Sequence, residues 1–132
     1  VFDACDTVKM CLRVFTEMIS GMKALTANMR TAAQKGFINA TDLADYMVRK
    51  GLPFRTAYKL SGQIVADCIA RNLVLEDYPL EDYKAHSPLI AEDVYEAVDL
   101  AACVEKRVSL GGTNVSSVRQ QIEYVRSQLH LD

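Results

Sequence analysis

Apolar residues recur at alternating spacings of four and three from the first position onward: Val1, Cys5, Val8, Leu12, Phe15, Ile19 and Met22. That rhythm is the seam of a helix packed among other helices, and no sheet register reproduces it. A second row, Ala4, Cys11, Met18 and Leu25, lies beside the seam. The apolar face is therefore wider than a two-stranded coiled coil needs and suits a core of several helices. Asp3, Asp6, Arg13, Glu17 and Ser20 mark the narrower polar side. No Ser, Thr, Asp or Asn precedes Val1 to cap this helix, the pattern expected of an excised piece, although a processed terminus would look the same.

Helical punctuation continues along the chain. Gly21 and Thr26 suggest a break, with Thr26 capping a short helix through Gln34 and Gly36 closing it as a left-handed residue. Thr41 is then expected to cap the next helix, with Asp42 near the positive end of its dipole, Lys50 near the negative end and Gly51 as the stop. Pro53 suits the first turn of a further helix, whose buried side is expected to be Ala57, Leu60, Ile64, Cys68 and Ile69. The near-duplicates Leu75-Glu76-Asp77-Tyr78-Pro79 and Leu80-Glu81-Asp82-Tyr83 read as a turn followed by a short helix, ended by Ser87-Pro88. Val94, Val98, Ala101 and Ala102 describe another helix, interrupted near Asp99. After a loop at Gly111-Gly112, Val115, Val118, Ile122, Val125 and Leu129 restore the four-three rhythm. Strict two-residue alternation occurs nowhere, so the fold class is all-α: a long core-bundle helix, then short helices joined by tight turns and packed together.

At 132 residues, 50% apolar and 24% charged, the chain has the composition of a globular domain. The net charge of −2, without a basic block or aromatic–basic interleaving, argues against a nucleic-acid partner. The longest apolar region, Val8 to Ile19, is interrupted by Lys9, Arg13, Thr16 and Glu17, which argues against a membrane span or signal-peptide core. A cytoplasmic location is expected. Cys5, Cys11, Cys68 and Cys103 are scattered without C-x-x-C spacing and read as reduced core residues.

Sequence patterns for reactive chemistry are sparse. His86 and His130 lie far apart with no zinc-type spacing around them, so no metal is expected. Glu76, Asp77, Glu81 and Asp82 lack the calcium-loop glycine and read as a solvated acidic face, with a calcium site as the alternative. Gly111-Gly112-Thr113 has neither the Lys-Ser/Thr of a phosphate loop nor a third spaced glycine. It reads as a connector, with Asn114, Ser116 or Ser117 capping the last helix. No serine or cysteine stands in a nucleophile motif. Tyr46, Tyr58, Tyr78, Tyr83, Tyr95 and Tyr124 are expected to pack their rings and leave hydroxyls at the rim. Arg49, Arg55 and Arg107 have the chemistry to bind carboxylates, against the plainer reading of salt bridges or helix-end contacts.

Ordered motifs cover nearly the whole chain: Phe2-Asp3, Asp6-Thr7-Val8, Asn28-Met29, Ala40-Thr41-Asp42-Leu43-Ala44-Asp45-Tyr46 and Lys50-Gly51-Leu52-Pro53-Phe54-Arg55. Ala57-Tyr58, Ser87-Pro88, Glu92-Asp93-Val94-Tyr95, Val104-Glu105-Lys106-Arg107 and Gly111-Gly112-Thr113 follow. In this order they resemble argininosuccinate lyase, of the aspartase/fumarase superfamily. The resemblance implies homotetramers built on long helices that cleave argininosuccinate to arginine and fumarate in arginine biosynthesis. It further implies a base that removes a proton beside a carboxylate and an acid that assists the leaving guanidinium nitrogen. The family's Gly-Ser-Ser-x-Met-Pro-x-Lys-x-Asn loop, its threonine–histidine segment and its tyrosine, glutamine and lysine substrate contacts are absent from this sequence. No catalytic, cofactor-binding or metal residue therefore transfers, and no cofactor is expected.

By the resemblance, residues 1–35 correspond to the end of the central helical-bundle domain and 36–132 to the C-terminal helical domain. The expectation is a scaffold and assembly piece, inactive alone, that self-associates through the first helix, with argininosuccinate a ligand only of the full-length enzyme. The rival is an autonomous helical protein-interaction module derived from the lyase domain. An independent enzyme using the tyrosines and arginines has little motif support.

Overall fold

The computed structural model describes residues 1–130, in which every regular element is helical. The elements are α1 (Phe2–Ser20), α2 (Thr26–Lys35), α3 (Ala40–Arg49), α4 (Phe54–Arg71), a 3₁₀ turn (Leu75–Asp77), α5 (Leu80–His86), α6 (Val94–Val98), α7 (Leu100–Glu105) and α8 (Val115–Leu129). The chain divides into two compact units, one spanning Val1–Arg30 and the other beginning at Thr31.

The first unit is dominated by α1, which buries none of its residues. Its seam is in the expected register, but the helix ends at Ser20 and Gly21 takes its C-terminal cap, so Met22 and Leu25 lie beyond it. Thr7 and Thr16 return their hydroxyls to the carbonyls of Asp3 and Leu12, which leaves the apolar rows uninterrupted. Cys5 and Cys11 are exposed with those rows, contrary to the core role expected of all four cysteines. Only Cys68 and Cys103 are buried.

The core belongs to the second unit. Leu43, Tyr46 and Met47 of α3 share one cluster with Ala57, Ile64 and Cys68 of α4 and Val94, Ala97 and Val98 of α6. α3 packs most extensively against α4 and next against α6. Spacings of three and four put Ala57, Ile64 and Cys68 on one side of α4, with Leu60 partly buried beside them. Ile69 does not join them: one residue past Cys68 is a turn of about 100° around the helix, which leaves Ile69 62% exposed.

Several helix ends differ from the sequence expectation for identifiable reasons. α3 starts two residues earlier than a Thr41 cap would allow, so Asn39 holds the cap position. The Asn39 side chain makes no capping bond; its Nδ2 donates to the carbonyl of Val98 at 2.6 Å. That carbonyl ends α6 at the Asp99 break, where burial would otherwise leave it unpaired. At the close of α2 the left-handed residue is Phe37, with φ of 49°, and not Gly36. A β-carbon on Gly36 would sit 3.2 Å from the carbonyl oxygen of Ala32, so closeness to the preceding turn favours glycine there. Pro53 caps α4 from just outside it, and Gly51, at φ of 103°, ends the segment after α3 as expected.

The duplicated Leu-Glu-Asp-Tyr words gain a structural meaning. Each sends its tyrosine inward, and Tyr78 and Tyr83 meet edge to face with ring centroids 4.8 Å apart. Tyr95 stands edge-on to Tyr83 at 6.1 Å and donates its hydroxyl to the Tyr78 carbonyl. Such aromatic pairs add about 0.5–1.5 kcal/mol beyond burial. Tyr83 is fully buried, and its hydroxyl donates to the Leu75 carbonyl at 2.8 Å instead of reaching the rim. Tyr58 and Tyr124 lie at the other extreme, largely exposed on their helices.

α7 and α8 are capped by their own side chains. Asp99 accepts the Ala102 N–H at 2.7 Å, and Asn114 accepts the Ser116 N–H at 2.8 Å. Among the three candidates for the α8 cap, Asn114 fills the position. Because Ile64 is fully buried in the core cluster, Ile64→Ala should lower unfolding free energy by about 2–5 kcal/mol, measured by urea denaturation. Ile69→Ala, on the exposed side of the same helix, should change it by less than about 1 kcal/mol.

Candidate functional site

A cleft of about 890 Å³ opens where the C-terminal end of α3 meets α6 and α7. At its wall the Tyr46 hydroxyl donates to Asp93 Oδ1 at 2.6 Å and accepts the Ala91 N–H at 3.1 Å. Lys50 Nζ lies 2.7 Å from Asp93 Oδ2 and 5.3 Å from the centre of the Tyr46 ring. Position along the helix explains the convergence, since Tyr46 and Lys50 are four residues apart and project from one side of the last turn. Asp93, which precedes α6, comes to them from 47 residues beyond Tyr46.

Charge and burial act on these groups in a consistent sense. Burial chiefly raises the Tyr46 phenol, with a further push from Asp93. The Lys50 hydrogen bond, followed by that of Tyr46, holds the Asp93 carboxyl below the usual range, and Asp93 in turn raises Lys50. Tyr46 therefore stays a neutral donor and Asp93 a carboxylate across neutral pH. With both carboxylate oxygens, the phenol and the ammonium engaged with one another, the cluster acts as a clasp between α3 and the start of α6. It lacks a nucleophile or an unengaged base.

A second cluster ties α4 to α5. Tyr78 donates to Asp67 Oδ2 at 2.6 Å, and Arg71 Nη1 reaches Asp67 at 3.2 Å and Asp82 at 2.6 Å. The Arg71 guanidinium lies 5.3 Å from the centre of the Tyr78 ring. Asp67 is held low, first by the Tyr78 hydroxyl and then by Arg71, while burial and Asp67 drive the Tyr78 phenol far upward. His86 is drawn in, its Nε2 3.3 Å from the Tyr78 hydroxyl. No group of three or more His, Cys, Asp or Glu among the described residues is arranged to hold a metal ion.

The arginines separate. Arg107 binds a carboxylate, but an internal one: its Nη2 donates to Asp42 Oδ1 at 3.0 Å and Oδ2 at 2.8 Å. The Asp42 side chain is only 8% exposed, so this pair ties the chain after α7 to the first turn of α3. Arg49 and Arg55 are exposed. Burial raises the thiols of Cys68 and Cys103 to about 11, which keeps both protonated and inert at neutral pH. The Lys50–Asp93 pairing had no local signature in the sequence, where Lys50 read only as a complement to the helix dipole.

The model of the argininosuccinate lyase C-terminal family matches residues 37–105, which run from the left-handed Phe37 through α7 and include both clusters. The chain belongs to that family. Argininosuccinate lyase from Acetivibrio thermocellus is 51% identical over 123 residues, which cover 93% of this chain and 27% of that protein. The lyase from Clostridium beijerinckii is 46% identical over 127 residues, 96% of this chain and 28% of its own length. Ruminiclostridium cellulolyticum has one that is 47% identical over 129 residues, with 98% and 28% covered. The chain thus spans little more than a quarter of these argininosuccinate lyases, and no helix among its described residues is long and apolar enough to cross a membrane.

The pH dependence of the clasp follows from the lowered Asp93 carboxyl. A carboxyl held low in the folded state contributes stability above its unfolded pKa and loses it as pH falls through the folded one. Stability should therefore decline as pH drops through about 4 and below. Asp93→Asn should flatten part of that decline in urea unfolding measured at stepped pH, with a small effect at neutral pH because the pair is partly solvated.

Proposed function

We propose that this chain is the C-terminal portion of an argininosuccinate lyase, and that the full-length enzyme cleaves argininosuccinate to arginine and fumarate in arginine biosynthesis. In this reading the chain supplies scaffold and assembly surface in a cytoplasmic homotetramer and is inactive alone. One observation carries the assembly role: α1 presents its apolar rows across 19 residues with none buried. Val8, Leu12, Phe15, Met18 and Ile19 are each at least half exposed, a continuous patch of the kind that protein–protein contacts cover. The satisfied clusters around Asp93 and Asp67 support the inactive reading, because their acids and bases are engaged with one another.

Two measurements test it. The purified chain incubated with argininosuccinate should produce no rise in the ultraviolet absorbance of fumarate, and a rise with full-length enzyme excluded would overturn the scaffold reading. Light scattering should give a mass above that of the monomer, and Leu12→Asp, in the centre of the α1 seam, should return the chain to monomer. A wild-type chain that stays monomeric at high concentration would remove α1 as the assembly surface.

A further inference from the structure

Asp42, Glu105, Arg107 and Gly112 stand in separate sequence motifs, yet they meet in one network at the entrance to α8. Arg107 spans both oxygens of Asp42, and its own carbonyl accepts the Asn114 N–H at 3.3 Å, which closes the loop between α7 and α8. Inside that loop the Gly112 N–H donates to the Ser109 carbonyl at 2.8 Å. A β-carbon on Gly112 would lie 2.1 Å from the Arg107 carbonyl oxygen, so no side chain fits where the loop closes. Asn114 then joins the loop to α7: its Nδ2 donates to the Glu105 carbonyl at 2.9 Å and to Glu105 Oε2 at 2.6 Å. The Oδ1 of the same side chain caps α8 by accepting the Ser116 N–H.

Past this attachment little burial supports α8 within the chain. Ser117 is its buried residue, and among the described residues no other helix packs extensively against it. A helix of 15 residues is marginal in water when tertiary packing does not support it. The core has no need of α8 in return, because the cluster shared by α3, α4 and α6 reaches no further along the chain than Val98. Two parts of one unit are therefore joined by polar contacts at a single place.

We infer that the segment from Arg107 through α8 opens as one unit while the core of α3, α4 and α6 stays folded, with the Asp42–Arg107 and Glu105–Asn114 contacts as its latch. Proteins open locally in cooperative units whose free energies follow the burial and hydrogen bonding that each unit holds. Asn114 makes this opening cooperative, since one side chain supplies both the attachment to Glu105 and the cap of α8. When it lets go, the helix loses its anchor and its first-turn partner together. The inference holds for the 132-residue chain itself, and activity or inactivity toward argininosuccinate does not bear on it.

Hydrogen exchange of the 132-residue chain, followed by mass spectrometry at neutral pH, tests this. Amides of residues 118–129 should exchange together, about tenfold or more faster than those of residues 43–47 and 64–68 but slower than in an unstructured chain. Asn114→Asp keeps an acceptor for the cap, removes the amide donor and sets a second carboxylate against Glu105. It should speed exchange of α8 about tenfold further and leave the core unchanged. Gly112→Ala, which forces the Arg107 carbonyl away without touching the core, should act in the same direction. Exchange of α8 within tenfold of the core, or at the rate of an unstructured chain in the unaltered protein, would overturn the proposal. So would α8 exchange that is unchanged in either variant, or core exchange that rises in step with it.

Discussion

The second unit depends on α3 having partners on both of its apolar neighbours at once. A ten-residue helix is marginal in water, because nucleation costs more than a few hydrogen bonds return. Burial of Leu43, Tyr46 and Met47 in the cluster shared with α4 and α6 makes up that deficit. Once α3 is held, its polar side chains reach the rest of the unit. Asn39 takes the carbonyl at the end of α6, Asp42 takes Arg107 beyond α7, and Tyr46 with Lys50 takes Asp93. Two helices too short to stand alone, α6 and α7, are thereby located by side chains at and along α3. Magnitudes decide which link matters most: a core aliphatic is worth about 2–5 kcal/mol, whereas a partly solvated ion pair is worth about 0–1.

Helix boundaries were legible where a residue's local chemistry acts within its own turn. Gly51 at positive φ, the break at Asp99 and Asn114 at the start of α8 all work over a few residues. Legibility failed where tertiary demand outranked local preference. Thr41 gave way to Asn39 once the α3 boundary was displaced, and Asn39 spends its donor on Val98 instead of capping. Phe37 adopts the left-handed turn that Gly36 was expected to take, and its ring packs partly buried against the core. For Ile69 the apolar identity was read correctly but the angular position was not, since adjacent residues on a helix face different ways.

The clusters were less legible than the helices, for a different physical reason. Tyr46 and Lys50 share one turn, yet their meaning depends on a carboxylate that only folding brings near. The same holds for Tyr78, whose partner Asp67 lies on the preceding long helix. In both clusters the geometry gives the carboxylates structural employment: Asp93 holds Tyr46 and Lys50, and Asp67 holds Tyr78 and Arg71. The family's chemistry is thus named by a region whose side chains are engaged in holding helices together, consistent with a chain that matches little more than a quarter of its lyase relatives.

The uneven placement of sulfur has a consequence for handling the protein and for its behaviour under oxidation. Cys68 and Cys103 are sealed in the second unit with thiols raised to about 11, while Cys5 and Cys11 stand exposed on α1. Accessible sulfur and the apolar rows of α1 therefore occupy one surface. An oxidant or alkylating reagent that reaches Cys5 adds bulk and polarity near the start of the seam, so thiol modification would compete with the association proposed for that face. The rate at which these two thiols react is thus a direct gauge of how often that face is open.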